Sequence, residues 1–268
     1  MAWKTPKTTW GQAGQTVPGA DDFNRIEGNT QYLKDEIDTR MQVISEIKYY
    51  VNASSGNDNN SGTSSAPFRT IQKAVNMAYK ALTGQVRIDI AAGIYTEDIE
   101  IENMMCPKLF FYGANDSNTI INGYVSINNA QWVRFYRLQI RNGLYGIIAL
   151  NGLKKLEVGS VIINNVSAIG ISAAVTEMVL VEDSSIDAYL TAIDCRNVAS
   201  LSVRNVEISS VTTQAISITG GVFANTRGLT GNIGSVPVHS VNGSILVRGP
   251  STIIGGADEK DGGGQIFE

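Results

Sequence analysis

From about residue 119 the chain repeats itself every 22 to 24 residues, and this period narrows the possible folds more than any other feature. One apolar column runs Ile147, Ile171, Ile193 and Ile216. A second runs Phe135, Val158, Val181 and Val203, and a third Ile140, Ile163, Ile186 and Ile208. Val125, aligned by the same repeat with Ile148, carries the pattern upstream. Within the segments apolar and polar residues alternate, as in Leu201-Ser202-Val203, which is the two-residue period of a half-buried strand. Between them stand turn pairs: Asn142-Gly143, Asn151-Gly152, Asn164-Asn165, Arg196-Asn197 and Gly220-Gly221. Three short strands per repeat predict an all-β chain, a right-handed parallel β-helix whose coils stack about 4.8 Å apart. No coil buries its inward face alone, so each depends on its neighbours. The 30 Ile, 27 Gly and 22 Asn suit strands closed by tight polar turns. A leucine-rich repeat of similar length needs Leu and Asn at fixed offsets, and the columns lack them.

Upstream, Val86-Arg87-Ile88-Asp89-Ile90 and Ile99-Glu100-Ile101 read as strands of a first coil, and Leu109 to Tyr112 as the next. Between 67 and 80 the period changes: Ile71, Val75, Ala78 and Leu82 fall three or four apart, with Pro67 placed in a first helical turn. An amphipathic helix there would cover the open end of the core and block edge-to-edge pairing. Farther upstream, Phe23, Ile26, Thr30, Leu33, Ile37, Arg40, Ile44 and Ile47 alternate in spacings of three and four, and six of the eight are apolar. Ile at both kinds of heptad core position favours three strands over two. Gly28-Asn29 and Arg40 weaken the pattern. The expected organisation is a segment 1–22, an oligomerising helix 23–48, a lead-in segment with a capping helix 49–85, a β-helix 86–228 and a closing segment 229–268. Trimerisation would fall to Phe23, Ile26, Leu33, Ile37, Ile44 and Ile47.

Composition removes several classes of function. A net charge of −4 and a pI near 5.2 do not suit nucleic acid, which needs clustered Lys and Arg. No apolar run reaches the roughly 18 residues of a membrane span, and the N-terminus lacks the apolar stretch of a secretory signal. Cys106 and Cys195 form no disulfide framework and read as buried small hydrophobes. The single histidine, His239, leaves no His-based metal site, and neither a metal nor a cofactor is expected.

The run Tyr50 to Gly62, followed by Pro67-Phe68-Arg69-Thr70-Ile71 and Ile90-Ala91-Ala92-Gly93-Ile94-Tyr95-Thr96-Glu97, resembles the first part of pectin-lyase-like β-helix proteins. Trp3 to Pro6, Trp10 and Asp22-Phe23-Asn24-Arg25-Ile26-Glu27-Gly28-Asn29 resemble the N-terminal segment of tail proteins from phages of Gram-positive bacteria, and Gly262 to Phe267 is similar to their ending. The resemblance implies a homotrimeric tail fibre, tailspike or appendage. Such a protein is made in the bacterial cytoplasm and carried on the virion, where it is held by other tail or baseplate proteins and contacts a host-surface glycan.

The resemblance also includes polysaccharide lyases and hydrolases, so catalysis has to be weighed. Glycoside hydrolysis uses two carboxylates about 5 to 9.5 Å apart. By the repeat, Asp183 and Asp187 flank one turn and form the best candidate pair, with Arg196 and Arg204 one coil on. Solvated turn residues are the better explanation of them, and the sequence leans away from an enzyme. Asn57-Asp58-Asn59-Asn60-Ser61-Gly62 has the look of a calcium loop without its terminal Glu, and reads as a surface loop. Trp132 and Tyr136, with Phe135 turned inward between them, are the candidate carbohydrate-stacking residues; Tyr145 and Tyr189 are further exposed aromatics.

Overall fold

The computed structural model describes residues 20–40, 46–79, 81, 84–232, 236–241, 245–248, 252–254, 259–261 and 265–267. The chain divides into two units, Met1–Ile44 and Ser45–Glu268.

The first unit contains helix α1, Ala20–Arg40. Phe23, Ile26 and Leu33 lie about half exposed on it, at 57, 50 and 48%. Ile37 lies within α1, and Ile44 lies outside the described residues.

In the second unit the β-branched alternation builds three walls of parallel strands. The main wall starts with Ile47–Val51 and Val86–Ile90, then Lys108–Gly113, Trp132–Arg141, Leu153–Val166 and Thr176–Glu182. It continues through Ser200–Arg204, Phe223–Arg227 and Ile245–Arg248 to Gln265–Phe267. Trp132–Arg141 and Leu153–Val166 are long enough to turn a corner into the second wall. That wall also holds Gly93–Tyr95, Thr119–Asn122, Ser185–Ala188, Glu207–Ser209, Thr230–Asn232 and Thr252–Ile254. The third wall runs from Ile99–Glu102 to Glu259–Asp261. This is a right-handed, pectin-lyase-like parallel β-helix.

The three apolar columns are the inward faces of the three walls. Phe135 pairs with Val158, Val158 with Val181 and Val181 with Val203, all within 1% exposure. Phe111 and Phe135 stack in the core with centroids 4.7 Å apart. One expected alignment slips by a single position: Val125 pairs with Ile147, not Ile148, because that coil is shorter than the one after it. At the corners the backbone turns through left-handed residues that stack coil on coil. Ser160, Asp183 and Asn205 have φ of +50°, +46° and +51°. Asn is enriched there because its short amide tolerates this conformation and links coils; Asn129 Nδ2 donates to Asn103 Oδ1 at 2.9 Å.

Three boundaries differ from the sequence reading. Ile47 belongs to the first strand, in register with Val86 and packed against the core, so it is no heptad position. The capping helix α2 spans Ile71–Ala78, with Thr70 as its N-cap; Pro67 precedes it, its carbonyl accepting from Asn60 Nδ2. Finally, the parallel register does not stop at 228. Phe223 pairs with Ile245 and Ile245 with Gln265, so the segment after 228 continues the coils. Gly228 stands at a left-handed corner, φ +65°, above Asn205, and Gly231 stands in register with Ile208 of the third inward column, where it adds no apolar side chain.

Helix α2 buries Ile71, Ala74, Val75 and Ala78 against the first strands. Two carboxylates hold its N-terminus. Asp58 accepts from the Arg69 and Thr70 N–H groups and the Thr70 hydroxyl, at 2.9 to 3.0 Å. Glu97, from the first coil, accepts from the Ile71 and Gln72 N–H groups at 2.9 and 3.0 Å. The 57–62 loop is therefore a brace for the cap, and both oxygens of its one carboxylate, Asp58, are taken by protein donors.

Candidate functional site

Strand alternation that sends Val133 and Phe135 into the core turns Trp132, Arg134 and Tyr136 outward on the main wall. In-register neighbours then place Phe110 beside Arg134 and Arg134 beside Glu157. Lys108, Trp132 and Lys155 form a second outward row. Tyr112, Tyr136, Gly159 and Glu182 form a third.

Arg134 is the hub of this face. Its guanidinium pairs with Glu157, donates from Nη1 to the Tyr112 hydroxyl at 3.2 Å, and lies 4.7 Å from the Phe110 ring centroid. Lys155 also pairs with Glu157 while its ammonium sits 4.3 Å from the Trp132 ring centroid. Lys108 approaches the same ring at 5.2 Å, and Phe110 meets it edge-on at 5.1 Å. One coil earlier, Arg87 pairs with Asp89 at 2.6 Å and lies over Tyr112 at 4.3 Å. Rings and cations thus hold one another outward across neighbouring coils.

Gly159 opens the face. Its missing side chain leaves a gap between Tyr136 and Glu182, and a cleft of about 290 Å³ forms there, lined by Tyr112, Arg134, Tyr136, Glu157, Glu182 and Asp183. A second hollow of about 320 Å³, bounded by Tyr50, Arg87, Asp89 and Arg137, shares Tyr112 with it. Together they make a trough crossing several coils along the helix axis.

Glu157 is only 6% exposed. Burial alone would push its carboxyl up, but the hydrogen bonds and charges of Arg134 and Lys155 outweigh burial and hold it below the usual carboxylate range. It stays ionised at neutral pH, the opposite of what a general acid requires. The thiols are not reactive groups either. Burial pushes Cys106 up to about 11, and burial with neighbouring Asp194 pushes Cys195 well above its ordinary value.

Of the expected acid pair, Asp183 lines the cleft and Asp187 does not. Asp183 sits at the left-handed corner beside the cleft and accepts from Asn205 Nδ2 at 3.0 Å. Asp187 lies in Ser185–Ala188 on the second wall, in register with Ser209. Arg204 pairs with Glu182 at 3.0 Å and Arg196 with Asp194 at 2.9 Å, so neither serves Asp183. Trp132 is half-buried beneath Lys108 and Lys155, whereas Tyr136 is 37% exposed at the cleft, 5.8 Å from Tyr112. Sequence reasoning misses Arg134 and Glu157 as a pair. The signal is present: Arg134 alternates with inward Phe135, and Glu157 lies one repeat farther along, on the next coil.

A family model described as Pectinesterase matches residues 59–140, from the lead-in loop through α2 to the corner of the strand carrying Trp132 and Tyr136. No curated protein matches the chain. Among solved structures, the crystal structure of Escherichia coli YbhC aligns at 12% identity and a TM-score of 0.48, over 77% of this chain and 72% of that one. The GH136 lacto-N-biosidase from Eubacterium ramulus aligns at 10% identity and a TM-score of 0.49, over 87% of this chain and 59% of its own length. The β-helix and the Pectinesterase match fit a carbohydrate-binding or carbohydrate-cleaving protein.

Proposed function

We propose that this chain is a structural and adhesive component of a phage or prophage tail, a fibre, spike or appendage that binds a host-surface glycan through its main wall. The observation that carries the reading is the outward-facing trough in which Tyr112, Tyr136 and Arg134 meet around Gly159. Sugar rings present apolar C–H faces and hydroxyl edges, and a trough of aromatic rings bordered by fixed charges matches both. Phe23, Ile26 and Leu33, spaced for a heptad seam and exposed on α1, support a homotrimer joined by that helix. Three weak sites per trimer, and several trimers per particle, turn modest affinity into firm attachment. The N-terminal segment would hold other tail or baseplate proteins, and the localisation is the virion.

Light scattering coupled to size-exclusion chromatography tests the assembly. The full chain should give three times 28.8 kDa, and Ile26→Asp with Leu33→Asp should give the monomer mass. A monomeric full chain overturns the trimer. Glycan-array binding by the full chain, lost in Tyr136→Ser, tests the adhesive site.

A second reading, glycan cleavage in the same cleft, rests on three carboxylates, Glu157, Glu182 and Asp183, lining it. Release of new reducing ends from bacterial surface polymer, abolished by Asp183→Asn, would favour it over pure adhesion. Glu157, held ionised by two cations, argues for adhesion.

A further inference from the structure

Beside the trough, one outward row of the main wall alternates strictly over six coils. Lys108, Trp132, Lys155, Met178, Ser200 and Phe223 stand in register, each paired with the next. Polar and apolar side chains take turns, and Met178 and Phe223 are 41 and 49% exposed. Neighbouring coils are about 4.8 Å apart, so the apolar members recur about every 9.6 Å. That is about the rise of an extended disaccharide, with one sugar ring per coil.

The row is also charged with one sign. It holds Lys108 and Lys155 and no acid, on a chain whose net charge is −4. Glu157 is shared by Lys155 and Arg134, so a single carboxylate faces two cations. No carboxylate among the described residues pairs with Lys108. Lys108 and Lys155 cover the Trp132 ring and keep their charged heads toward solvent along the row.

We infer that this row is a track for a linear anionic glycan with a disaccharide repeat, lying along the helix axis with its charged sugars beside Lys108 and Lys155 and its uncharged sugars over Met178 and Phe223. The inference rests on the glycan-binding reading above and adds the sign, spacing and direction of the ligand. The charge is a carboxylate or a phosphate, either of which two flanking ammonium groups attract.

The test is titration calorimetry on the full chain with oligosaccharides of defined length. The probes are hyaluronan fragments, charged on alternate sugars, oligogalacturonates, charged on every sugar, neutral chito-oligosaccharides, and a glycan with a phosphodiester in each disaccharide repeat. Affinity for hyaluronan fragments should rise with each added disaccharide until the row is filled, and should fall with salt. Lys108→Gln should weaken binding about threefold and flatten the salt dependence, as expected for one partly exposed ion contact. Phe223→Ser should weaken long fragments and leave a disaccharide unaffected. Preference for the phosphodiester glycan supports the inference and assigns the charge to phosphate; preference for hyaluronan assigns it to carboxylate. Equal, salt-independent binding of neutral oligosaccharides overturns the inference while the adhesive reading stands. Tighter binding per sugar to oligogalacturonate overturns the alternation, and binding to none of the probes or to any arrayed glycan overturns both readings.

Discussion

The strand Trp132–Arg141 shows two kinds of position side by side. Its inward residues Val133 and Phe135 have no exposed surface, and their column neighbours are of the same sort: Phe111, Phe135, Val158, Val181, Val203. Outward, Arg134 stands between Phe110 and Glu157, and the row goes on through Leu180, Ser202 and Asn225. The inner column must fill the same volume in every coil, so its members are alike; the outer row meets solvent or ligand and is free to differ. Departure from the repeat is therefore where a ligand-binding surface has room to form, and the repeat itself is where stability resides.

Breaking the inner column should have the largest effect. Phe135→Ala removes a ring stacked on Phe111 in a closed core and should lower unfolding free energy by about 3–5 kcal/mol, read from denaturant titration. A loss under about 1 kcal/mol would mean that the column tolerates gaps and that coils act more independently than the stacking implies. The corners should respond in the opposite direction at one site. Val175 has φ +53° and 54% exposure at a corner where Asn129 and Asn197 stand in other coils. A β-branched residue is strained there, so Val175→Asn should stabilise by about 1 kcal/mol and raise the thermal midpoint. An unchanged or lower midpoint would show that Val175 has packing that offsets its strain.

The capping helix lies between these extremes in kind, since it is neither repeat nor recognition surface. Thr70→Ala removes the hydroxyl that accepts from the Lys73 N–H and donates to Asp58, and should cost about 1 kcal/mol in the same titration. Loss of the cap should also raise aggregation, because the first strand's edge would be uncovered. A soluble variant of unchanged stability would move the bracing role to the backbone N–H groups held by Asp58 and Glu97.

How far the sequence can be read follows the same division. Columns such as Ile147, Ile171 and Ile193 are legible because inward positions repeat in kind even when coil length varies. Outward partnerships are not, because they depend on each coil's length. Coil length changes along Lys108, Trp132, Lys155, Met178, Ser200 and Phe223, and a slip of a single position turns a facing pair into strangers. That is why the repeat alone sets Val125 against Ile148 in place of Ile147, and why Glu157 reads as one acid among several. Asp183 and Asp187 mislead for a related reason. Closeness in sequence reads as a shared site, but Asp183 is itself the corner residue beside the cleft, while Asp187 stands on the second wall and does not line it. The coils after 228 are hidden by Gly228 at a corner and by Gly231, which follows Ile208 in the third apolar column and interrupts its hydrophobic signal.

The smallest expected effect sharpens the outer side of the comparison. Glu157 has a folded-state pKa below its usual 4.5, through Arg134 and Lys155. A lowered carboxyl contributes stability that is present above the unfolded value and is lost as pH falls through the folded one. In Glu157→Gln that contribution is absent at every pH. Wild type should therefore exceed the variant in stability near neutral pH, and the difference should shrink below about pH 4.3 and vanish in stronger acid. Denaturant titrations of both proteins at matched ionic strength would measure it. The gap should stay small beside that of Phe135→Ala, because Arg134 and Lys155 each keep about a third of their side chains in water. A gap as large as the Phe135 loss would mean that the outer face helps to hold the coils together, and recognition and stability would no longer divide between the two sides of the wall.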